Sequence, residues 1–179
     1  LVGSEMCIRD RSIKAVYKKT IWHVVLAAYV VFIFSNSLTP ADLSSEESGF
    51  VMRLVHQAIG AAGLSAPWLT EHVIRKCAHF SEYTLLGILL FQSMRNLDCG
   101  AAFRRQLHML LIFFIPFVDE TLQLFTEGRS GQISDVWLDM SGAVTGTILY
   151  ACICFLISGK AEKRGKNKAG VQNKWKKRT

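Results

Sequence analysis

Arg75, Lys76, His79, Glu82 and Tyr83 sit in the first half of residues 73–92, VIRKCAHFSEYTLLGILLFQ, whose second half is a plain apolar helix. At about 100° per residue the five fall within roughly 120° of helical arc. The same stripe continues as Leu86 and Leu90. Cations, an imidazole, a carboxylate and a phenol on one face can hold an anion, move a proton or share a metal. A second group follows: Asp119, Glu120 and Gln123 lie within one turn, and Arg129 stands between Gly128 and Gly131. A third comprises Asp135 and Asp139, four residues apart, followed by Gly142 and Gly146. Ionisable groups in apolar helices are costly and face a bundle interior.

Each group has a structural and a chemical reading. Arg75, His79 and Arg129 are the natural counter-charges for the acids, because several carboxylates in one buried place cannot all stay ionised without cations. Lys76 can snorkel to lipid head groups. Glu82 cannot, so it is either a buried ion pair that fixes helix register or a functional acid. Asp119 and Glu120 point about 100° apart, so one faces a cavity while the other faces the loop. Gly142 and Gly146 read as a helix-packing face. Gly128 and Gly131 shape a turn that projects Arg129 over the acids. In a catalytic reading Glu82 or His79 is the acid/base, and Asp119, Asp135 and Asp139 orient it or hold a metal. In a binding reading Arg75, Lys76 and Arg129 contact phosphate. No cofactor is expected. A divalent metal on His79, Glu82 and Asp119 is the alternative, though a His and an acid three apart are common. The sequence has no nucleotide loop, no HExxH and no GxSxG, which weakens an enzymatic reading without removing it.

The elements that position these residues suit a bilayer. The chain has 179 residues, half of them hydrophobic, with three prolines and a mean hydropathy of +0.25. One all-α membrane domain fits these values. The formal charge of +7 reflects the basic stretch after Gly159 more than any binding face. Five cysteines without a CxxC pair predict no disulfide framework. Residues 1–11, LVGSEMCIRDR, fit no pattern and are set aside as a non-native leader. Residues 12–159 are expected to form the membrane domain, with spans over about 21–38, 73–94, 107–125 and 135–157. A short amphipathic helix, capped by Ser44 or Ser45 and running to Ile59, is expected between spans one and two. Gly60 to Gly63 and Pro67 break it, and Pro116 lies inside span three. Residues 160–179 read as a basic disordered tail.

Lysines and arginines orient the bundle. Lys14, Lys18 and Lys19 precede span one, Arg95, Arg104 and Arg105 lie between spans two and three, and the basic tail follows span four. Both termini are therefore expected on the cytoplasmic side. The polar ends of spans two, three and four then converge on the outer side. At ~1.5 Å per residue Glu82 lies roughly 13 Å along its helix and Asp119 about 9 Å from the end of its own. An outward-facing polar pocket follows from that convergence.

These residues carry a resemblance. Arg75-Lys76-x-x-His79-Phe80-x-Glu82-Tyr83, then Asp119-Glu120-x-x-Gln123, then Gly128-Arg129, then Asp135-x-x-x-Asp139-x-x-Gly142-x-x-x-Gly146 resembles the VanZ-like family, in order over residues 74–149. That resemblance implies a multi-pass protein of the bacterial cytoplasmic membrane, associated with low-level resistance to the glycopeptide teicoplanin. It implies no established catalytic residue. The expected partners are the lipid bilayer and a lipid or cell-wall precursor head group in the pocket, with no nucleic acid and no assigned oligomeric state. The alternative is a membrane-embedded hydrolase or transferase acting on a lipid-linked head group at the outer leaflet.

Overall fold

A computed structural model of the chain describes residues 2–61, 63, 68–129 and 131–176. Its regular structure is helical throughout: α1 (Val2–Ser37), α2 (Ala41–Ala61), α3 (Glu71–Arg95), α4 (Ala101–Gln123) and α5 (Ile133–Lys176). Among the described residues three stretches are long and apolar enough to cross a membrane: Lys19–Ser37 of α1, Ala101–Gln123 and Ile133–Gly159 of α5. The second expected span, α3, is 25 residues long but is not among them: His79, Glu82 and Gln92 interrupt its apolar run, and Glu71, Arg75, Lys76 and Arg95 flank it.

Helix ends follow local chemistry. Thr70 caps α3, its hydroxyl accepting from the Val73 N–H at 3.4 Å, and Glu71 adds an acid to the first turn. α2 starts at Ala41, directly after Pro40, and is longer than the short helix expected from Ser44 or Ser45. Proline is well tolerated at a helix entrance because it has no N–H to leave unpaired. Pro67 lies outside the described residues. Pro116 sits inside α4 without ending it. α1 extends upstream of its apolar part to Val2, and α5 runs on to Lys176, so residues 160–176, expected to be disordered, continue a helix. Alanines, lysines and glutamine in that stretch are good helix formers, and no proline interrupts it.

α3 is the hub: it packs against α1, α2, α4 and α5. Its inward residues Tyr83, Leu86 and Leu90 join Ile33, Ile112, Ile115 and Ala143 in one core. Cross-helix contacts give the directions. His23 meets Ser93 while Tyr29 meets Glu82, so α1 and α3 are antiparallel. Lys76 meets Asp135 while Tyr150 meets Gln92, so α3 and α5 run parallel. α1 ends and α3 begins at the same end of the bundle, and α2 joins them there. The outer faces of the apolar helices are greasy: Phe113, Phe117, Met109, Ile153 and Phe155 are all exposed. Large apolar residues facing outward on every side are what a lipid solvent requires.

α3 and α5 approach closely enough to need glycine. A Cβ on Gly142 would lie 2.7 Å from the Phe80 carbonyl oxygen. A Cβ on Gly146 would overlap the Thr84 carbonyl, and one on Gly87 the Ala143 carbonyl. Gly142 and Gly146 lie where α5 comes closest to α3, with Gly87 as the reciprocal notch on α3.

At the end opposite α2, Lys19 Nζ reaches Asp98 Oδ1 at 2.6 Å across the α3–α4 turn. The Lys19 ammonium hydrogen-bonds the Asp98 carboxylate and holds it below the usual carboxylate range. A lowered acid contributes stability at neutral pH and loses it as pH falls through its folded pKa. The pair is exposed, so water and salt screen it. We expect Asp98→Asn to leave the thermal midpoint at neutral pH within error of the parent, with any difference vanishing in acid. A midpoint shift that persists in high salt would assign this turn a larger role.

Candidate functional site

The polar ends of α3, α4 and α5 meet at the α2 end of the bundle. Near its centre stand His79, Asp119 and Asp139, one from each helix. Each offers a donor atom within 4.8 Å of the other two. His79 Nδ1 and Asp139 Oδ1 are 3.9 Å apart. Asp119 and Asp139 have no exposed surface at all. Their four carboxylate oxygens, His79 Nδ1 and the Tyr83 hydroxyl are buried without a hydrogen-bond partner. Ser37, Tyr83 and Gln123 lie in electrostatic reach of Asp119, yet none closes a bond of good geometry. Buried polar groups are nearly always paired, so six unpartnered atoms in one place mark a special environment.

A shell of paired groups surrounds this centre. Lys76 Nζ contacts Asp135 Oδ1 at 2.7 Å, tying α3 to the start of α5. Glu120 is turned toward the loop, as its 100° offset from Asp119 requires. Its Oε2 accepts from the Gln132 N–H at 3.0 Å and its Oε1 from Gln123 Nε2 at 3.2 Å. The loop comes this close because residue 131 is glycine: a Cβ there would lie 2.6 Å from the Glu120 carbonyl oxygen. Gly128 has φ +75°, a left-handed conformation that favours glycine, and so turns the chain just before Arg129.

Two cavities open on either side of His79 and Arg129, which line both. One, about 170 Å³, is bounded by Arg75, Lys76, Gln123, Gln132 and Asp135. The other, about 460 Å³, is bounded by Asn36, Ser37, Ile74 and Glu82, with Phe32 and Val51 on its apolar wall. The smaller is strongly polar and is lined by Arg75, Lys76 and Arg129, with Lys76 paired to Asp135. The larger is a mixed polar and apolar slot between α1, α2 and α3. Together they offer a place for a charged head and an adjoining place for something less polar.

The structure separates the residues expected to act as one group. Arg75, Lys76, His79, Gln123, Arg129 and Asp135 line the small cavity. Tyr83, Asp119 and Asp139 lie beneath it, fully buried. Glu82 does not join Asp119. Its Oε1 accepts from Asn36 Nδ2 at 3.2 Å, on the α1 side, and its backbone carbonyl accepts from Tyr29 Oη at 3.0 Å. Three residues along a helix leave a turn of roughly 60° between His79 and Glu82, enough to aim them at different neighbours. The sequence reading missed Asn36 and Ser37. Their signal was a polar Ser35-Asn36-Ser37 at the end of an apolar run, which looks like an ordinary helix terminus. Ser37 is in fact buried, and its carbonyl accepts from Thr126 Oγ1 at 3.1 Å.

Fold and site together define an all-helical membrane protein with a buried His-Asp-Asp centre under a cationic cavity at one end. A model of the VanZ/LLP1 family matches residues 21–156, and the chain belongs to that family. The match begins well before Ile74, so it includes α1 and α2, where the sequence motif was silent. No curated protein and no solved structure matches the chain.

Proposed function

We propose that this chain is a four-span envelope protein that binds an anionic head group of a lipid or cell-wall precursor in its outward-facing pocket, and thereby lowers susceptibility to a glycopeptide such as teicoplanin. The observation that carries this is the pair of cavities around His79 and Arg129, one cationic and one part apolar. α3 is the fourth span. At ~1.5 Å per residue its 25 residues cover roughly 37 Å. It lies between helices that are apolar on their outer faces, and two of its charges meet partners on them, Lys76 at Asp135 and Glu82 at Asn36. Lys19, Arg95, Arg104 and Arg105 gather at the end away from the pocket, which favours that end, with both termini, in the cytoplasm. Arg75, Lys76 and Arg129 supply the donors that a phosphate or carboxylate needs.

The half-buried His79 beside the buried Asp139 favours one further reading: a hydrolase or transferase acting on a lipid-linked head group. His79 is the acid/base in that case, and Glu82 the candidate on the far side of the same helix. Turnover of a labelled lipid-linked phosphate ester by the purified protein separates the two readings.

Susceptibility to teicoplanin tests the first. In a sensitive Gram-positive host, with membrane levels matched, the parent is expected to raise the inhibitory concentration several-fold. Glu82→Gln is expected to remove most of that rise, because it discharges the acid wall of the larger cavity. Equal protection by parent and variant would make Glu82 a packing residue. No protection by either would sink the glycopeptide reading and leave the enzymatic one standing.

A further inference from the structure

We infer that His79, Asp119 and Asp139 form a site for one divalent transition-metal ion, of the zinc or manganese kind, beneath the cationic cavity. The inference rests on the reading that this pocket is functional, and it names what lies at its floor. Geometry comes first. Three donor atoms from three helices lie within 4.8 Å of one another, and one pair is already at 3.9 Å. An ion with bonds of about 2.0–2.2 Å needs them slightly closer, a change that side-chain rotation supplies.

The second observation is the missing partners. Both aspartates are fully buried, and none of their four oxygens has a partner of strict hydrogen-bond geometry. Ser37, Tyr83 and Gln123 stand within donor reach of Asp119, while among the described residues no side-chain donor is within bonding distance of Asp139. The imidazole nitrogen that faces them, Nδ1, is equally unpartnered. The hydrogen-bonded acids nearby show that this environment can satisfy a carboxylate: Glu120 has two donors and Asp135 has Lys76. Asp119 and Asp139 are left over, converging on one point. A cation at that point satisfies all three ligands at once.

Chemistry narrows the ion. One imidazole with two carboxylates is a borderline donor set, suited to Zn²⁺ or Mn²⁺, whereas Ca²⁺ and Mg²⁺ prefer all-oxygen shells. Three protein ligands leave a coordination position open. Of the three ligands His79 also lines the cavity of Arg75, Lys76 and Arg129, so an anionic oxygen bound there would approach the metal from the imidazole side. The α3–α5 glycine contacts hold two of the three ligand-bearing helices in fixed register.

The test uses the full, untagged chain in detergent, stripped with chelator and dialysed against Zn²⁺, Mn²⁺ or Co²⁺. The expected result is close to one equivalent per chain. Co²⁺ should show visible d–d bands without the near-ultraviolet bands of thiolate ligation. Asp119→Asn and Asp139→Asn should each weaken binding at least about tenfold. Absence of binding at micromolar metal, equal binding by folded variants, or thiolate bands from the cysteines would each overturn the site. If the variants fail to fold, as gel filtration would show, the parent's Co²⁺ stoichiometry and spectrum decide alone. Metal binding without protection from teicoplanin keeps the site and removes the glycopeptide reading. Protection by a chain that binds no metal does the reverse.

Discussion

Gly146→Ala is expected to lower the thermal midpoint of the detergent-solubilised protein by roughly 6–12 °C, from a cost of about 3 kcal/mol at about 2–4 °C per kcal/mol. A single added methyl would fall on the Thr84 carbonyl oxygen and its carbon. The obstruction is backbone, not a flexible side chain, so it cannot rotate away. α3 and α5 must separate. The separation also spoils Gly142 against Phe80 and Gly87 against Ala143, which belong to the same crossing. It pulls apart the Lys76–Asp135 ion pair and moves His79 from Asp139. In lipid there is no hydrophobic gain to hold the helices together, so close packing carries the association. Gly60→Ala is the matched control. Nothing lies within 4 Å of its added Cβ, and it sits within α2. There the same change should be neutral or stabilise by up to about 1 kcal/mol, because alanine is the better helix former. Equal midpoints for the two variants would mean that the α3–α5 crossing is looser than described.

Asp139→Asn should reverse its effect on stability with the metal content of the buffer. In chelator, the parent buries a carboxyl group with no partner. Such a group costs about 1–3 kcal/mol, and an amide, which both donates and accepts beside Asp119 and His79, recovers part of that. The variant should then unfold a few degrees above the parent. In excess Zn²⁺ or Mn²⁺ the parent should gain about 2.7 kcal/mol at a hundredfold excess over its Kd, and a variant that binds at least tenfold more weakly no more than about 1.4 kcal/mol. The order of the two midpoints inverts. The same variant should lose protection from teicoplanin in cells, since sites that store instability are often those that function needs. A variant less stable than the parent in both buffers, by equal amounts, would make Asp139 a packing residue.

Much of this was legible in the chain because charges inside apolar helices are expensive. Glu82 is unable to snorkel and Arg75 on the same side reads best as an ion pair, whereas Lys76 could equally reach the head groups; Asp119, Asp135 and Asp139 were the acids on offer. Helix parity then placed them at one end. What was not legible was azimuth. Whether Glu82 or Asp139 completes a group with His79 and Asp119 depends on a turn of about 60°, set by how α3 packs on α1 and α5. Asn36 and Ser37 stayed hidden for a related reason: a polar residue at a helix end is ordinary until a neighbour buries it. The start of α2 was misjudged because Ser44 and Ser45 looked like caps, while Pro40 had already marked the entrance.

The central position of α3 has a consequence for how the chain is made. The helix is not among the stretches apolar enough to cross a membrane unaided, and its first half carries ionisable groups that are costly there. Glu82 can meet Asn36 of α1, which emerges from the ribosome first. Lys76 must wait for Asp135, and His79 for Asp139, on the last helix synthesised. On the four-span reading, biogenesis therefore passes through a stage in which half of the charged face of α3 is unmatched. That stage ends when α5 arrives and locks beside it through the glycine notch. A chain terminated after α4 should leave the N-terminal half of α3 open to protease from the outer side, where the complete chain is protected. Insertion and folding are then one coupled event, completed from the C-terminal side.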